Sequence, residues 1–137
     1  MKRFLLDTNI VWDLIRNPQG QAAAHIMKVG EKQVCTSVIV AAELRHRAAK
    51  RGAARLTTRV AAVLGTLEVL PFEAPADFAY ASIRARLQQT GKPIGDNDLL
   101  IAAQALSLGC TLVTDNEREF ARIPDLRLEN WLRSREL

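Results

Sequence analysis

The chain has 137 residues, of which 48% are hydrophobic, and we expect one domain over residues 1–137 with a single core. This composition excludes a largely disordered chain, and no apolar run reaches the roughly 20 residues of a membrane helix. The first residues form too short an apolar stretch for a secretory signal, and Cys35 and Cys110 lack metal-type spacing. We therefore expect buried, reduced thiols in a cytoplasmic protein without a membrane partner.

Positive charge is concentrated in one segment of the chain. Residues 41–67 hold six cations against the single acid Glu43, a net charge of +5, and because the whole chain carries +4 the remainder is at −1. Such a block is typical of a surface that binds a polyanion, although an ordinary solvated helix surface has the same charge pattern. The six cations of this basic block are Arg45, Arg47, Lys50, Arg51, Arg55 and Arg59.

Strands and helices alternate along the first half of the chain. The strand "FLL" precedes an apolar helix face that ends at the turn cluster "NPQG". Ser37 is a predicted N-cap, and Gly52 separates two helices that carry the basic block. The predicted elements are a strand at 4–6, helices at 8–16 and 21–29, a strand at 34–36, and helices at 38–50 and 55–64.

The second half continues this alternation. Its predicted elements are a strand at 67–70, a helix from about 75 to 91, a helix at 99–108, a strand in "CTLVTDN", a short helix in "EREFARI" and a last strand at 126–128. The helix at 99–108 is apolar on nearly every face, which predicts that it is buried. Together the elements predict an α/β fold, with a parallel sheet covered on both faces.

Four acids lie in otherwise apolar surroundings. Asp7 follows the first strand and Asp115 follows "TLVT", so both lie at carboxyl ends of predicted parallel strands, where open α/β sheets bind ligands. Asp98 begins the most buried helix, and Glu43 lies inside the apolar stretch "SVIVAAELRHR". A charge among apolar neighbours is costly unless something compensates it, and a shared divalent cation would compensate all four.

Each acid also has a purely local explanation. Glu43 has no capping role, but Arg47 lies one helical turn on as an ion-pair partner. Independent capping would not place three acids in the crevice of one sheet, which favours a metal cluster that acts on a phosphodiester. His25 and His46 have no evident partners, and we expect surface or packing roles for them. The acids suited to a cap, a first turn or a tight turn are Asp7, Asp96, Asp98 and Asp115.

Four segments of the chain together form a specific pattern: "LLDTNI", "TSVIVAAEL", "PIGDNDLLIAAQA" and "LVTDNEREF". With these segments the chain resembles the PIN-domain ribonucleases, and among them the VapC toxins of bacterial toxin–antitoxin pairs and the related FitB proteins. The resemblance covers almost the whole chain, to about Phe120. It implies a PIN-like three-layer α/β/α sandwich with a central, mainly parallel sheet, in agreement with the elements predicted independently.

Carried onto this chain, the family pattern implies metal binding and catalysis by four acids. Asp7 matches the first metal-binding aspartate, and Glu43 matches the glutamate on a helix. Asp98 matches the acid of the "IGxxD" pattern, and Asp115 matches the last acidic position, which varies in the family. The polar residues expected to brace these acids are Thr8, Asn9, Thr114 and Asp96, the last of them by capping the loop.

The same resemblance implies a metal-dependent endoribonuclease that hydrolyses RNA and leaves a 5′-phosphate and a 3′-hydroxyl. Its cofactor would be Mg²⁺, or Mn²⁺, and the basic block would guide the RNA backbone with an affinity that weakens in salt. Such toxins are usually homodimers, which a small VapB- or FitA-like antitoxin covers and silences in heterotetramers or larger assemblies. Trp12, Phe78 and Tyr80 would suit either protein surface, although we expect Phe78 to pack in the core.

Other classes of function are open from the sequence. A phosphoryl-transfer enzyme with Asp7 as nucleophile would need a second acid at the position of Asn9. The segment "TGKP" is not a phosphate loop, because Arg86 and Pro93 replace the required glycine and hydroxyl residue. A PIN nuclease of RNA processing outside a toxin pair, or a non-catalytic RNA-binding PIN scaffold, is the remaining alternative.

Overall fold

A five-stranded sheet forms the middle of the structure. The computed structural model describes residues 3–133, so the ends of the expected 1–137 domain lie outside the described residues. The strands are β1 (Phe4–Leu6), β2 (Val34–Ser37), β3 (Glu68–Leu70), β4 (Thr111–Val113) and β5 (Leu128–Glu129). Their order in the sheet is β3-β2-β1-β4-β5, and every neighbouring pair is parallel.

Helices flank this sheet, which explains why its central strands are apolar on both faces. Leu5 of β1 is fully buried and is in register with Cys35 of β2 on one side and Leu112 of β4 on the other. The predicted α/β class with a central parallel sheet is confirmed. The helices are α1 (Thr8–Arg16), α2 (Gln21–Val29), α3 (Val38–Arg51), α4 (Ala54–Thr66), α5 (Ala76–Gln89), α6 (Asp96–Leu108) and α7 (Glu117–Phe120), with a short 3₁₀ helix at Glu31–Gln33.

Capping residues mark the ends of the helices that lie beside the acids. Asp7 is the N-cap of α1, and Ser37 caps α3 by accepting a hydrogen bond from the backbone N–H of Ile39 at 2.9 Å. Gly52 and Gly109 end α3 and α6 in the left-handed conformation, with φ angles of 65° and 69°. Glycine adopts that conformation without the steric cost of a Cβ atom, so α6 stops where the sequence predicts and α3 stops one residue later.

The interior confirms the predicted distribution of apolar residues. Cys35 and Cys110 are both buried and free. On α6, the run from Ile101 to Ala105 is buried throughout, as expected for the helix with apolar residues on nearly every face. None of the helices in residues 3–133 combines the length and the apolar character needed to cross a bilayer.

Several predicted helix and strand ends differ from the structure by one to three residues, and three further local predictions are wrong. The N-cap of α6 is Gly95, and Asp96 is already the first helical residue, so Asp96 does not cap the loop. The last strand is Leu128–Glu129 rather than 126–128, because only those two residues align with β4. Phe78 is 76% exposed on α5 instead of packing in the core. It lies off the buried face of that helix, which is formed by Ala76, Ile83 and Leu87.

Candidate active site

The carboxylate of Asp7 is held at the carboxyl end of the central strand. Asp7 follows β1 directly and is 3% exposed. Its Oδ1 accepts a hydrogen bond from the Thr8 backbone N–H at 2.8 Å, and its Oδ2 accepts one from the Thr114 hydroxyl at 2.7 Å. Burial raises the pKa of Asp7, because these two bonds offset only part of the desolvation, and the charges of Glu43 and Glu119 raise it further.

Thr8 connects Glu43 to Asp7. The Thr8 hydroxyl donates to Oε2 of Glu43 at 3.1 Å, while the backbone N–H of the same residue donates to Asp7. Arg47, the local ion-pair candidate for Glu43, instead places its guanidinium over the Trp12 ring, 4.7 Å from the centroid. Within residues 3–133 the ion pairs are Arg3 with Glu68 and Arg133 with Glu117, so the local explanation of Glu43 fails.

Asp98 shares the electrostatic environment of Asp7 and Glu43. It lies in the first turn of α6 and is half-buried. Burial raises its pKa to about 7, and the negative charges of Asp7, Glu119 and Glu43 contribute to the same shift. Four carboxylates from four separate segments therefore repel one another near the carboxyl end of the central strand. We call them the acid group: Asp7, Glu43, Asp98 and Glu119.

Asp115 lies at the rim of this group. It is exposed, its backbone N–H donates to Oδ1 of Asn9 at 3.0 Å, and its Oδ1 accepts from Nδ2 of Asn130 at 2.9 Å. Among the described residues, the charges that raise the pKa of Asp98 are those of Asp7, Glu119 and Glu43, and Asp115 is not one of them. Asp96 is also exposed, on the first turn of α6.

Glu119 is the member of the acid group that the sequence prediction missed. It lies on α7, where Oε1 accepts from the Gly95 backbone N–H at 3.1 Å and Oε2 accepts from Nδ2 of Asn116 at 2.6 Å. Its charge raises the pKa of both Asp7 and Asp98. The segment "EREF" resembles a solvated surface helix, and the only available signal was the spacing of one helical turn after Asp115.

The donor chemistry of the group suits a hard divalent cation. Its side-chain donors are all carboxylate oxygens, the ligands that Mg²⁺ and Mn²⁺ prefer. Within residues 3–133, no three acidic, histidine or cysteine side chains lie close enough to bind one ion together in this arrangement. The mutual repulsion that raises the pKa of Asp98 is nevertheless the repulsion that a cation would relieve.

The match to known proteins extends over most of the chain. Residues 4–126 match the PIN domain family. The chain belongs to this family. Ribonuclease VapC2 of Rickettsia felis is 38% identical over 130 residues, which cover 93% of this PIN domain chain and 97% of the relative. The tRNA(fMet)-specific endonuclease VapC of Salmonella typhimurium is 36% identical, with coverage of 96% and 99%. The predicted membership of the VapC-like PIN ribonucleases is confirmed.

Solved structures agree with this assignment. The PIN domain chain is similar, with a TM-score of 0.86 and 36% identity, to a chain in the crystal structure of VapBC2 from Rickettsia felis bound to a promoter DNA fragment. That similarity covers 93% of this chain and 98% of the other. A chain of the FitAB complex bound to DNA has a TM-score of 0.82 at 28% identity, with coverage of 97% and 98%. The predicted PIN-like fold is therefore confirmed.

The basic block of this PIN domain divides into two groups. Arg47 and Arg51 lie over the Trp12 ring at 4.7 and 5.3 Å, and Arg59 donates to the backbone carbonyl of Ile15. These three arginines attach α3 and α4 to α1. Arg51 and Arg59 are exposed as well, so their contacts with α1 distinguish the first group. The remaining cations are also exposed on the same two helices: Arg45, Lys50 and Arg55.

Proposed function

We propose that this PIN domain is a metal-dependent endoribonuclease and the toxin of a toxin–antitoxin pair. The observation that carries the proposal is the shared electrostatic field of Asp7, Glu43, Asp98 and Glu119, which come from four segments and act on Asp7 and Asp98 near the carboxyl end of the central strand. A cluster of that kind is costly for folding alone and is the usual form of a site for Mg²⁺ or Mn²⁺. The identity to VapC ribonucleases over nearly the full chain supports the same activity.

In this proposal Asp7, Glu43 and Asp98 hold the cation, and Asp115 and Glu119 take part directly or through water. When bound, the cation supplies Lewis-acid polarisation of the scissile phosphate of RNA. The chain positions the acids around it. The Thr8 and Thr114 donors fix both oxygens of Asp7, and Asn9 holds the backbone of Asp115. These residues act through the acids, so we expect them to be positioning residues.

The basic block completes the proposed substrate surface. Arg45, Lys50 and Arg55 are exposed and have the charge to follow a phosphate backbone, which the acids alone would repel. Arg47, Arg51 and Arg59 add to the positive field from their positions against α1. The products would be a 5′-phosphate and a 3′-hydroxyl.

The proposed protein partners are a second copy of the chain and a small VapB- or FitA-like antitoxin. Similar structures were solved as the toxin–antitoxin complexes VapBC and FitAB, and this supports a heterotetramer or a larger assembly in which the antitoxin silences the site. The exposed aromatic ring of Phe78 is suited to such a protein contact.

Cleavage of RNA by matched variants tests the catalytic part of the proposal. Asp7→Asn and Asp98→Asn each remove one charge without changing side-chain size, and we expect each to reduce cleavage by at least about a hundredfold. Asp77→Asn is the control, because Asp77 is an exposed acid in the first turn of α5. EDTA should abolish cleavage by the wild type, and Mg²⁺ or Mn²⁺ should restore it. Undiminished, chelator-resistant cleavage would rule out the metal site.

Expression in cells tests the toxin role separately. We expect the chain alone to arrest growth, Asp7→Asn to relieve the arrest, and a short neighbouring open reading frame to relieve it when co-expressed. RNA cleavage without growth arrest or a silencing neighbour would indicate RNA processing, and RNA binding without cleavage would indicate a non-catalytic scaffold. Sequencing RNA ends after brief expression identifies the substrate, with transfer RNA examined first because one relative is named for tRNA(fMet).

A further inference from the structure

A cavity of about 720 Å³ lies between α2 and residues 128–133, which comprise β5 and the segment that follows it. One face of α2 lines it with His25 and Lys28, and the opposite wall is formed by residues 128–131 and Arg133. Cavities that bind small ligands have volumes of roughly 300–1,000 Å³, so this one can hold a nucleotide. Neither the metal chemistry nor the basic block accounts for it.

Three aromatic rings contact one another in series beside this cavity, with Phe4 tilted by 54° against Trp131 and His25 stacked on it, and we call this series the column. Trp131 is 1% exposed, and its ring lies 5.4 Å from that of Phe4 on β1 and 5.2 Å from that of His25. The His25 and Trp131 rings are nearly parallel, with an interplanar angle of 8°. The indole N–H of Trp131 donates to Oε1 of Glu129 at 3.0 Å, which fixes the indole. His25 lines the cavity and is half-buried, whereas Trp131 is buried, so His25 is the ring that a ligand in the cavity can reach.

The charges around the column favour an anionic ligand. Lys28 and Arg133 contribute two positive charges, and Glu129 contributes one negative charge whose carboxylate already accepts from Trp131. Arg133 is 3.8 Å from Glu117, a loose ion pair at the surface. A stacking ring and cations that line the same cavity form the combination that binds a base and its phosphate in single-stranded nucleic acid.

Asn130 connects the cavity to the candidate active site. It lines the cavity, and its Nδ2 donates to Oδ1 of Asp115 at 2.9 Å and to Oε2 of Glu117 at 3.3 Å. Asn130 therefore both lines the cavity and contacts Asp115 at the rim of the acid group.

We propose that this cavity binds one nucleotide of the RNA, beside the bond that is cleaved. The base stacks on His25 and extends the column of rings, and its phosphate lies near Lys28 and Arg133. This inference rests on the proposed ribonuclease function for its substrate, but the nucleotide site itself depends only on the cavity. The nucleotide that flanks the cleaved bond would then contribute to the affinity of the protein for RNA.

Binding of adenosine 5′-monophosphate tests the site without any cleavage. In a Trp12→Phe background Trp131 is the only tryptophan, so its fluorescence reports directly on the cavity. We expect His25→Ala to weaken binding about tenfold, in line with the loss of one base–aromatic stack, and His25→Phe to retain it within about twofold. Met27→Ala, an exposed change on the same helix, should have no effect.

The charge of the site is tested by a second matched pair. Lys28→Ala should weaken binding of the nucleotide several-fold, and Lys32→Ala, which changes an exposed lysine outside the cavity, should not. Adenosine should bind more weakly than its monophosphate, and inorganic phosphate should not change the fluorescence of Trp131. Equal nucleotide affinity of wild type, His25→Ala and Lys28→Ala would overturn the proposal.

Steady-state cleavage separates this inference from the proposed function. His25→Ala should raise KM for RNA about tenfold with little change in kcat, because the ring contacts the substrate away from the reacting phosphate. His25-dependent nucleotide binding by a protein that cleaves no RNA would support the cavity and refute the ribonuclease. Cleavage whose KM is unchanged by His25→Ala would refute the cavity alone. If His25→Ala weakens capture of the antitoxin but not of the nucleotide, the cavity is a protein surface and the proposal fails.

Discussion

Asp98 lies in the first turn of α6, where the helix dipole favours a negative charge by about 0.3–1 kcal/mol. Its pKa is nevertheless raised to about 7, first by burial and then by the charges of Asp7, Glu119 and Glu43. The dipole is therefore outweighed by desolvation and repulsion. A proton and a divalent cation both relieve this repulsion, so the two compete for the same carboxylate.

The pH dependence of metal-free stability follows from that shift. The unfolded Asp98 carboxyl loses its proton near 3.8, whereas the folded one keeps it up to about 7, so the folded state binds more protons between these values. Stability should fall as pH rises through this window. Asp98→Asn should raise the free energy of unfolding at pH 8 by about 1–2 kcal/mol, a figure reduced for solvent screening of a half-exposed group. Urea denaturation in EDTA at pH 5 and pH 8 measures the effect.

Asp77→Asn is the matched control for this measurement. Asp77 is also a first-turn aspartate, on α5, but it is exposed. The control should keep the wild-type loss of stability between pH 5 and pH 8. An Asp98→Asn protein that loses stability as steeply as the control would contradict the raised pKa.

At the scale of elements, the hairpin of α3 and α4 is attached to α1 through cations. Arg47 and Arg51 lie over Trp12, and Arg59 donates to the Ile15 carbonyl near the end of α1. A cation over an aromatic ring contributes roughly 0.5–1 kcal/mol at an exposed site. Three of the six cations therefore stabilise the packing of helices. A count of charges along the sequence cannot tell such cations from those that bind RNA.

Two arginines of α4 separate packing from binding. Arg59→Ala should lower the free energy of unfolding by about 1 kcal/mol, because the Ile15 carbonyl loses its partner. Arg55→Ala should leave stability within about 0.5 kcal/mol but reduce the slope of log affinity for RNA against log salt by about 1. Urea denaturation measures the free energy of unfolding, and RNA titrations in a catalytically inactive Asp98→Asn background measure the salt slope. Equal destabilisation by Arg59→Ala and Arg55→Ala would contradict the division of the basic block into packing and RNA-binding cations.

The boundaries of β1 and α1 could be predicted to the residue because three local signals coincide there: an apolar strand, the capping Asp7 and the turn "NPQG". The boundaries of the last strand could not be predicted in this way, because its two residues are defined by their alignment with β4. Glu119 was missed for a related reason. Its membership of the acid group depends on α7 packing near Gly95, a contact between segments 24 residues apart that no local pattern contains.

Across the whole molecule, folding brings acids from distant segments into one electrostatic environment. Asp7, which follows β1, shares it with acids from α3, α6 and α7, while exposed cations lie further along α3 and on α4. In the unfolded chain these acids are far apart and solvated, so their repulsion exists only after folding. The folded site should therefore bind a divalent cation much more tightly than the unfolded chain does, and global stability becomes coupled to cation concentration.

Mg²⁺ should stabilise the folded protein by mass action, by about 2.7 kcal/mol at a concentration one hundred times its Kd. The increase in Tm should be larger at pH 8 than at pH 5, because Asp98 is protonated below about 7 and the proton must leave before the cation binds. NaCl at equal ionic strength controls for general screening, and Asp7→Asn controls for the site. Thermal denaturation measures all three. An equal Tm increase in the Asp7→Asn variant, or with NaCl, would show that the acids do not act together on a cation.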